Sequence, residues 1–275
     1  MSETKKGPIT VMAHLVAGYP TDGIARAAAR GLAAGGVSYF EVQFPFSDPS
    51  ADGKSIQTAC AGVLERGYRV SEGFDFVASL RRDYPDIPCF IMTYANLAYR
   101  NGIADFVTRA AESGAVGLIV PDLPFDADEG LDAECLKRGL SSVPVAAPSM
   151  RPSRLAKLAS LGRPYVYAAL RAGITGASTT IDGETLAFIQ AVSAAGDTDN
   201  AKAGTETPGR AAFPSKVLGG FGIRTGAQSS ALKDAVHAVV AGSVFVDIIA
   251  ATASDGPDAV SDAIRAKAAE LTGMI

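Results

Sequence analysis

Short apolar runs alternate along this chain with stretches in which apolar residues recur every three or four positions. Runs of the first kind, which predict strands, are Val11–Ala17, Tyr39–Gln43, Cys89–Tyr94, Val116–Val120, Val143–Ala147, Tyr165–Leu170, Lys216–Leu218 and His237–Ala241. Stretches of the second kind, which predict helices with one buried face, include Ile24–Leu32, Phe74–Leu80, Phe106–Ala111 and Leu155–Leu158. Eight strand–helix alternations point to a parallel sheet, and eight repeats favour a closed (β/α)8 TIM barrel over an open sheet. No shift in composition marks a boundary, so residues 1–275 are expected to form a single domain. One segment breaks the rhythm. Ala195–Phe213 is rich in Gly, Ala, Thr and polar residues and has no period. It reads as a flexible loop insertion between a helix and the seventh strand, on the barrel's N-terminal face and dispensable for chemistry.

In the second strand, alternation over Ser38–Phe44 puts Phe40, Val42 and Phe44 on one face and Tyr39, Glu41 and Gln43 on the other. A barrel turns its apolar strand face to the helices, so Glu41 should point inward, where a carboxylate must be paired or put to use. A buried ion pair or an exposed strand are the alternatives to a catalytic role. The strand leads into Phe44–Gly53 (FPFSDPSADG), which holds Pro45, Pro49, Asp48 and Asp52. Loops at the C-terminal ends of barrel strands build the active site, and two acids above Glu41 form a cluster able to transfer protons. Asp-Pro and Asp-Gly pairs also occur in plain turns that the Asp caps.

Glycine turns follow the seventh and eighth strands, at Gly219–Ile223 and Ala241–Ser243. Barrels often hold phosphate there, on backbone N–H groups and a helix N-terminus; Ser243 can equally serve as a helix N-cap. The sixth strand runs on into Arg171–Thr180, small and hydroxyl-rich. That composition suits either an ordinary surface loop or a mobile lid.

The overall balance narrows the partners. A net charge of −4 gives no basic surface to draw nucleic acid or an anionic membrane. A small anionic substrate would have to be held locally, by backbone amides. The most apolar late run, Ala235–Ala251, is interrupted by His237, Ser243 and Asp247 and so is not a membrane span. Met1–Pro8 is polar, with no signal-type run behind it. Cys60, Cys89 and Cys135 are scattered without CxxC spacing, so neither a disulfide framework nor a zinc site is expected, and a reducing cytoplasm fits.

Periodicity and spacing reach as far as a phosphate-binding barrel with an internal carboxylate. Six segments, in order, then resemble the tryptophan synthase alpha-subunit family: Phe40–Gly53 (FEVQFPFSDPSADG), Met92–Leu97 (MTYANL), Val120–Pro124 (VPDLP), Arg171–Gly176 (RAGITG), Gly220–Ile223 (GFGI) and Ala241–Ser243 (AGS). The PFSDPSADG loop is the most specific of them, and the match runs from about Val11 to Ile249. The resemblance implies cleavage of indole-3-glycerol phosphate to indole and glyceraldehyde 3-phosphate in tryptophan biosynthesis. It further implies that indole passes to a beta subunit in an alpha2beta2 heterotetramer, and that no metal or organic cofactor takes part.

Residue by residue, the resemblance makes Glu41 the catalytic acid–base and Asp52 the carboxylate that accepts a hydrogen bond from the indole N–H. Tyr94, Tyr167 and Thr175 match positions that line the substrate or brace Asp52, and His14 falls beside the indole, expected neutral with one satisfied hydrogen bond. Gly176, Gly222, Gly242 and Ser243 match the phosphate cradle, and Asp48, Pro49 and Asn96 the face toward the beta partner. The implied reaction is a retro-aldol cleavage, in which indole C3 gains a proton and the neighbouring glycerol hydroxyl loses one. A single carboxyl in an apolar barrel can serve both transfers, while an ionised Asp stabilises the charge developing on the ring nitrogen.

Several positions depart from the family. Gln43 and Lys54 stand where many members carry Gly and Pro, and His14 stands where an aromatic residue is usual. Ala169, Leu170 and Ala172 replace residues more often Leu, Ser and Ser, and the N-terminal segment is too short for the helix that often plugs the barrel bottom. Every matched acid and phosphate glycine is retained. Two other readings stand beside the lyase of an alpha–beta complex: a stand-alone lyase that releases free indole, and a non-catalytic activator of beta. The retention of Glu41 and Asp52 speaks against the activator.

Overall fold

The computed structural model describes residues 7–100, 102–170, 181–194, 215–220 and 222–275. The segments Ala195–Phe213 and Arg171–Thr180, the latter with Thr175 and Gly176, lie outside the described residues. In chain order the elements are β1 (Val11–Val16), α1 (Asp22–Ala34), β2 (Tyr39–Gln43), α2 (Lys54–Glu65), α3 (Val70–Asp83), β3 (Cys89–Met92), α4 (Ala95–Tyr99), α5 (Ile103–Glu112) and β4 (Gly117–Ile119). They continue with α6 (Leu131–Lys137), β5 (Ser141–Val143), β6 (Val145–Ala146), α7 (Pro152–Ala159), β7 (Tyr165–Ala169) and α8 (Gly183–Ala194). The last are β8 (Lys216–Gly220), α9 (Gly226–Leu232), β9 (Ala238–Ala241), α10 (Ser243–Thr252) and α11 (Pro257–Thr272).

All strand pairs are parallel, in the order β5-β4-β3-β2-β1-β9-β8-β7-β6. The two ends of that order are one barrel strand broken at Pro144, whose ring removes a ladder N–H. β4 pairs with β5 on one side of the break and β7 with β6 on the other. Across the break, the Tyr167 N–H donates to the Pro144 carbonyl at 2.9 Å. The sheet therefore closes on itself as an eight-stranded (β/α)8 barrel. The run Val143–Ala147 is accordingly not one uninterrupted strand, and the fifth strand begins earlier, at Ser141.

Alternation along the strands sorts the core into two layers. Val11, Ala13 and Leu15 of β1 and Phe40 and Val42 of β2, with Phe44 just beyond it, face the helices. Met12, Phe90, Met92, Ile119, Val143, Tyr167, Leu218 and Val240 fill the barrel interior, as a barrel core of this fold must be filled. At the N-terminal mouth the interior ends in Tyr39, Tyr165 and the half-buried His237, whose Nε2 lies 2.9 Å from the Tyr39 hydroxyl. The Lys216 ammonium sits 5.4 Å from the centre of the Tyr165 ring.

Outside the barrel, α11 packs along α1, and two glycines of the α1 region set how closely. A Cβ on Gly31 would lie 2.3 Å from the Ser261 carbonyl oxygen, and one on Gly35 would lie 2.4 Å from Ala268 Cβ. The apolar run Ala235–Ala251 resolves into β9 and α10, and no helix among the described residues is long and apolar enough to cross a membrane.

Candidate active site

A cleft opens at the C-terminal ends of the strands, with about 550 Å³ of empty space including its mouth. Its walls include His14, Glu41, Asp52, Tyr167, Gly222, Gly242 and Ser243. Six strands or strand–helix turns thus deliver to one space residues as far apart in the chain as His14 and Ser243. Met92, Ile119, Val145 and Val240 supply an apolar floor able to take a flat ring.

Glu41 points inward, as the alternation of β2 requires, and is buried at 4% exposure. It does not stand alone. The β1–β2 register pairs His14 with Glu41, and parallel strands present register partners on the same face. His14 Nδ1 consequently lies 2.6 Å from Glu41 Oε2, while its Nε2 is buried without a hydrogen-bond partner among the described residues. Burial works against an imidazolium here, but the bond to Glu41 and the charges of Glu41 and Asp52 prevail and raise the His14 pKa above its ordinary value. The expected single hydrogen bond is present; the charged ring is favoured more than a neutral, isolated histidine would allow.

Asp52 sits on the β2–α2 loop, also buried. The Tyr94 hydroxyl donates to its Oδ2 at 2.7 Å and Gln43 Nε2 to the same oxygen at 2.8 Å. The Tyr94 oxygen in turn accepts from the Ala51 N–H at 3.1 Å, and the Tyr94 ring stacks on Phe46 at 5.2 Å between centroids. The loop is thereby tied to the barrel at both ends of one tyrosine. Burial pushes the Asp52 carboxyl above its ordinary pKa, against the charge of His14 and the bonds from Tyr94 and Gln43, which favour the ionised form. Burial likewise raises the Tyr167 hydroxyl well above its ordinary value, with the charges of Glu41 and Asp52 adding to the effect, so this ring meets a ligand as a neutral phenol.

In the same cleft, Gly222 at φ 80°, Gly242 and Ser243 form a wall of small residues. Gly222 adopts a conformation that side chains resist, and a Cβ on Gly242 would come within 3.2 Å of His14 Cβ. Gly242, not Ser243, is the N-cap of α10, so Ser243 is the first helical residue and its N–H has no partner within the helix. The Arg224 guanidinium donates to Ser243 Oγ at 3.3 Å and to Asp247 Oδ2 at 2.7 Å, bringing a cation to this wall that spacing alone did not demand. The signal was its place directly after GFGI.

Of the residues matched to a partner face, Asp48 and Asn96 are exposed and Pro49 is buried. Asp122, from the VPDLP segment, accepts the Ala95 N–H at 2.9 Å and so fixes the start of α4 beside Asn96. Among the described residues no group of three or more His, Cys, Asp or Glu side chains is placed to hold a metal ion.

The family model for the tryptophan synthase alpha chain matches residues 2–273. The chain belongs to this family. A tryptophan synthase alpha chain of Helicobacter hepaticus is 36% identical over 244 residues, covering 87% of this chain and 85% of the relative. One of Methanosarcina mazei is 34% identical over 277 residues, covering 100% and 92%. Among solved structures, tryptophan synthase of Mycobacterium tuberculosis superposes with a TM-score of 0.80 at 28% identity, covering 97% of this chain and 92% of that one. The tryptophan synthase complex of Pyrococcus furiosus gives a TM-score of 0.79 at 26% identity, covering 97% and 99%. The closed barrel is thus the fold of tryptophan synthase alpha chains, and the cleft lies where such a barrel carries its chemistry.

Proposed function

We propose that this chain performs its family's cleavage of indole-3-glycerol phosphate with Glu41 as the acid–base and Asp52 as the electrostatic partner of the indole N–H. The observation that supports this best is the pairing of two buried carboxylates in one apolar cleft, each held by its own bonds, in a space that a glycine wall at a helix start also lines. Protonation of C3 draws electrons from the pyrrole ring and leaves positive charge at the ring nitrogen. A carboxylate braced by Tyr94 and Gln43 stabilises that charge without reorganising. The bond from C3 to the glycerol carbon then breaks, its electrons restore the indole, and the carbinol becomes the aldehyde as its hydroxyl proton returns to the acid–base group.

The phosphate is assigned to the N–H groups around Gly222, Gly242 and Ser243, with Gly176 as a fourth member and Arg224 as nearby cation. Tyr94, Tyr167, Thr175 and His14 are assigned to the substrate wall. Asp48, Pro49 and Asn96 are assigned to a beta partner, in an alpha2beta2 assembly of the cytoplasm, with the chain acting as a single domain. Both mapped exposed residues lie on the face that opens the cleft, which supports passage of indole to a partner docked there.

Glu41→Gln tests the assignment, because it keeps the shape and cannot shuttle a proton. Indole release, measured with and without a beta subunit, should fall by about 10²–10⁴-fold in a folded variant that still stimulates beta. Near-normal release would reject Glu41. A wild-type chain without lyase activity even beside beta would leave the activator reading standing, and equal turnover with and without beta would favour the stand-alone lyase.

A further inference from the structure

His14 is one of two histidines in the chain and borders the cleft beside Glu41. Its Nδ1 is engaged at 2.6 Å by Glu41 Oε2, whereas Nε2 has no partner among the described residues although the ring is only 3% exposed. A buried nitrogen of this kind is costly unless something else bonds it, and the cleft is the space from which a bound substrate reaches it. We propose that His14 is a positioning residue for the lyase reaction: it anchors Glu41 through Oε2 and shares the reaction's proton with it, so that the two side chains act as one acid–base pair. This rests on the assignment of Glu41 made above.

The proton count closes. The pair begins with one proton beyond carboxylate and neutral imidazole, and gives it to indole C3. It takes one back from the glycerol hydroxyl as the carbon–carbon bond breaks, and so ends as it began. With Oε2 held by Nδ1–H, the transfers fall to the other carboxylate oxygen, and the charge left on Glu41 never lacks a donor. Among the described residues, the groups around the ring are Glu41 on β2, Asp52 on the β2–α2 loop, Tyr167 on β7 and the uncharged Gly242–Ser243 turn, with Arg224 one bond further away on Ser243. Both carboxylates favour a proton on His14; Tyr167 stays neutral, and Asp247 shares the charge of Arg224. The pair therefore keeps its proton to higher pH than a lone carboxyl does.

The test is the pH profile of indole release by the full chain with its beta partner, for the wild type and for His14→Gln, with folding followed by circular dichroism. The alkaline limb of kcat should move to lower pH by about one unit in His14→Gln, a roughly tenfold loss above the limb, with KM changed little. His14→Phe, which restores the family's usual aromatic residue, should also take the limb from its wild-type position and serves if the glutamine variant does not fold. A fall in kcat by the same factor at every pH with the limb unmoved makes the ring merely structural and overturns the proposal. A raised KM with kcat and limb unchanged makes it only a wall of the indole pocket and overturns it too. Failure of the parent assignment looks different: Glu41→Gln then keeps its activity, whatever His14 does.

Discussion

Tyr94 does more than its place in the MTYANL motif announces. One hydroxyl donates to Asp52 and accepts from Ala51, so a single oxygen ties the β2–α2 loop to the start of α4. Tyr94→Phe should lower unfolding stability by about 1–3 kcal/mol, the cost of leaving a buried group unpaired. It should also let the Asp52 pKa climb further, since the lost bond favoured the ionised form. The rate of indole release should fall by about tenfold for the same reason, at roughly 1.4 kcal/mol per factor of ten. Urea unfolding and steady-state rates check both, and an unchanged pair of values would mean that Gln43 alone suffices for Asp52. At this scale the sequence shows which residues face inward but not which ones meet. Strand alternation turns Glu41 into the barrel. The His14–Glu41 bond depends on a register between residues 27 apart, which no local pattern encodes. The second bond of Asp52 comes from Gln43, which alternation turns inward but which no local pattern pairs with Asp52.

Among the elements, the strands were legible because each carries its period over at least a few residues, while their ends were not. Pro144 is plain in the sequence, yet an apolar run masks the break that it makes, since a missing N–H leaves no mark on hydropathy. Helices such as α6 and α9, seven residues each, are too short for a 3.6-residue period to stand out. The α1–α11 pair shows a different kind of information. Gly31→Ala would raise helix propensity by about 1 kcal/mol, which predicts stabilisation if α1 is considered alone. Its new methyl would meet the backbone carbonyl of Ser261, which has no rotamer to give, and overpacking of that kind costs about 1–3 kcal/mol. Gly31→Ala should therefore lower the melting temperature, at roughly 2–4 °C per kcal/mol for a chain of this size. A higher melting temperature would show that α11 shifts freely away from α1.

For the molecule as a whole, the two histidines set opposite slopes of stability against pH. The pKa of His14 is raised in the folded state, so its contribution is complete below the ordinary value of 6.5 and is lost as pH rises through the folded value. His237 is lowered, by burial and by the charge of Lys216, so the folded state is penalised as pH falls below 6.5 toward its folded value. Glu270, held low by Lys267 and by the Gly226 N–H, adds to the loss on the acid side, its contribution being present above the ordinary 4.5 and lost as pH falls. Asp52, raised by burial, acts in the other direction, since ionising it above the ordinary 3.8 works against folding. Over the histidine range, unfolding free energy should peak near pH 6.5. His14→Gln should flatten the alkaline side and His237→Gln the acidic side below 6.5. Denaturant titrations at half-unit steps check this, and a profile unchanged by either substitution would remove histidine from the account.

The placement of those two rings has a spectroscopic consequence. His14 lies in the cleft at one mouth of the barrel and His237 beside Tyr39 at the other. With only two imidazoles in the chain, each ring gives a resonance that can be assigned by a single substitution, and each reports on its own end. The chain also contains no tryptophan, so the indole it releases is the only indole chromophore in the cuvette apart from those of a substrate or partner. Product formation at one mouth and any disturbance at the other can thus be followed on the unlabelled protein.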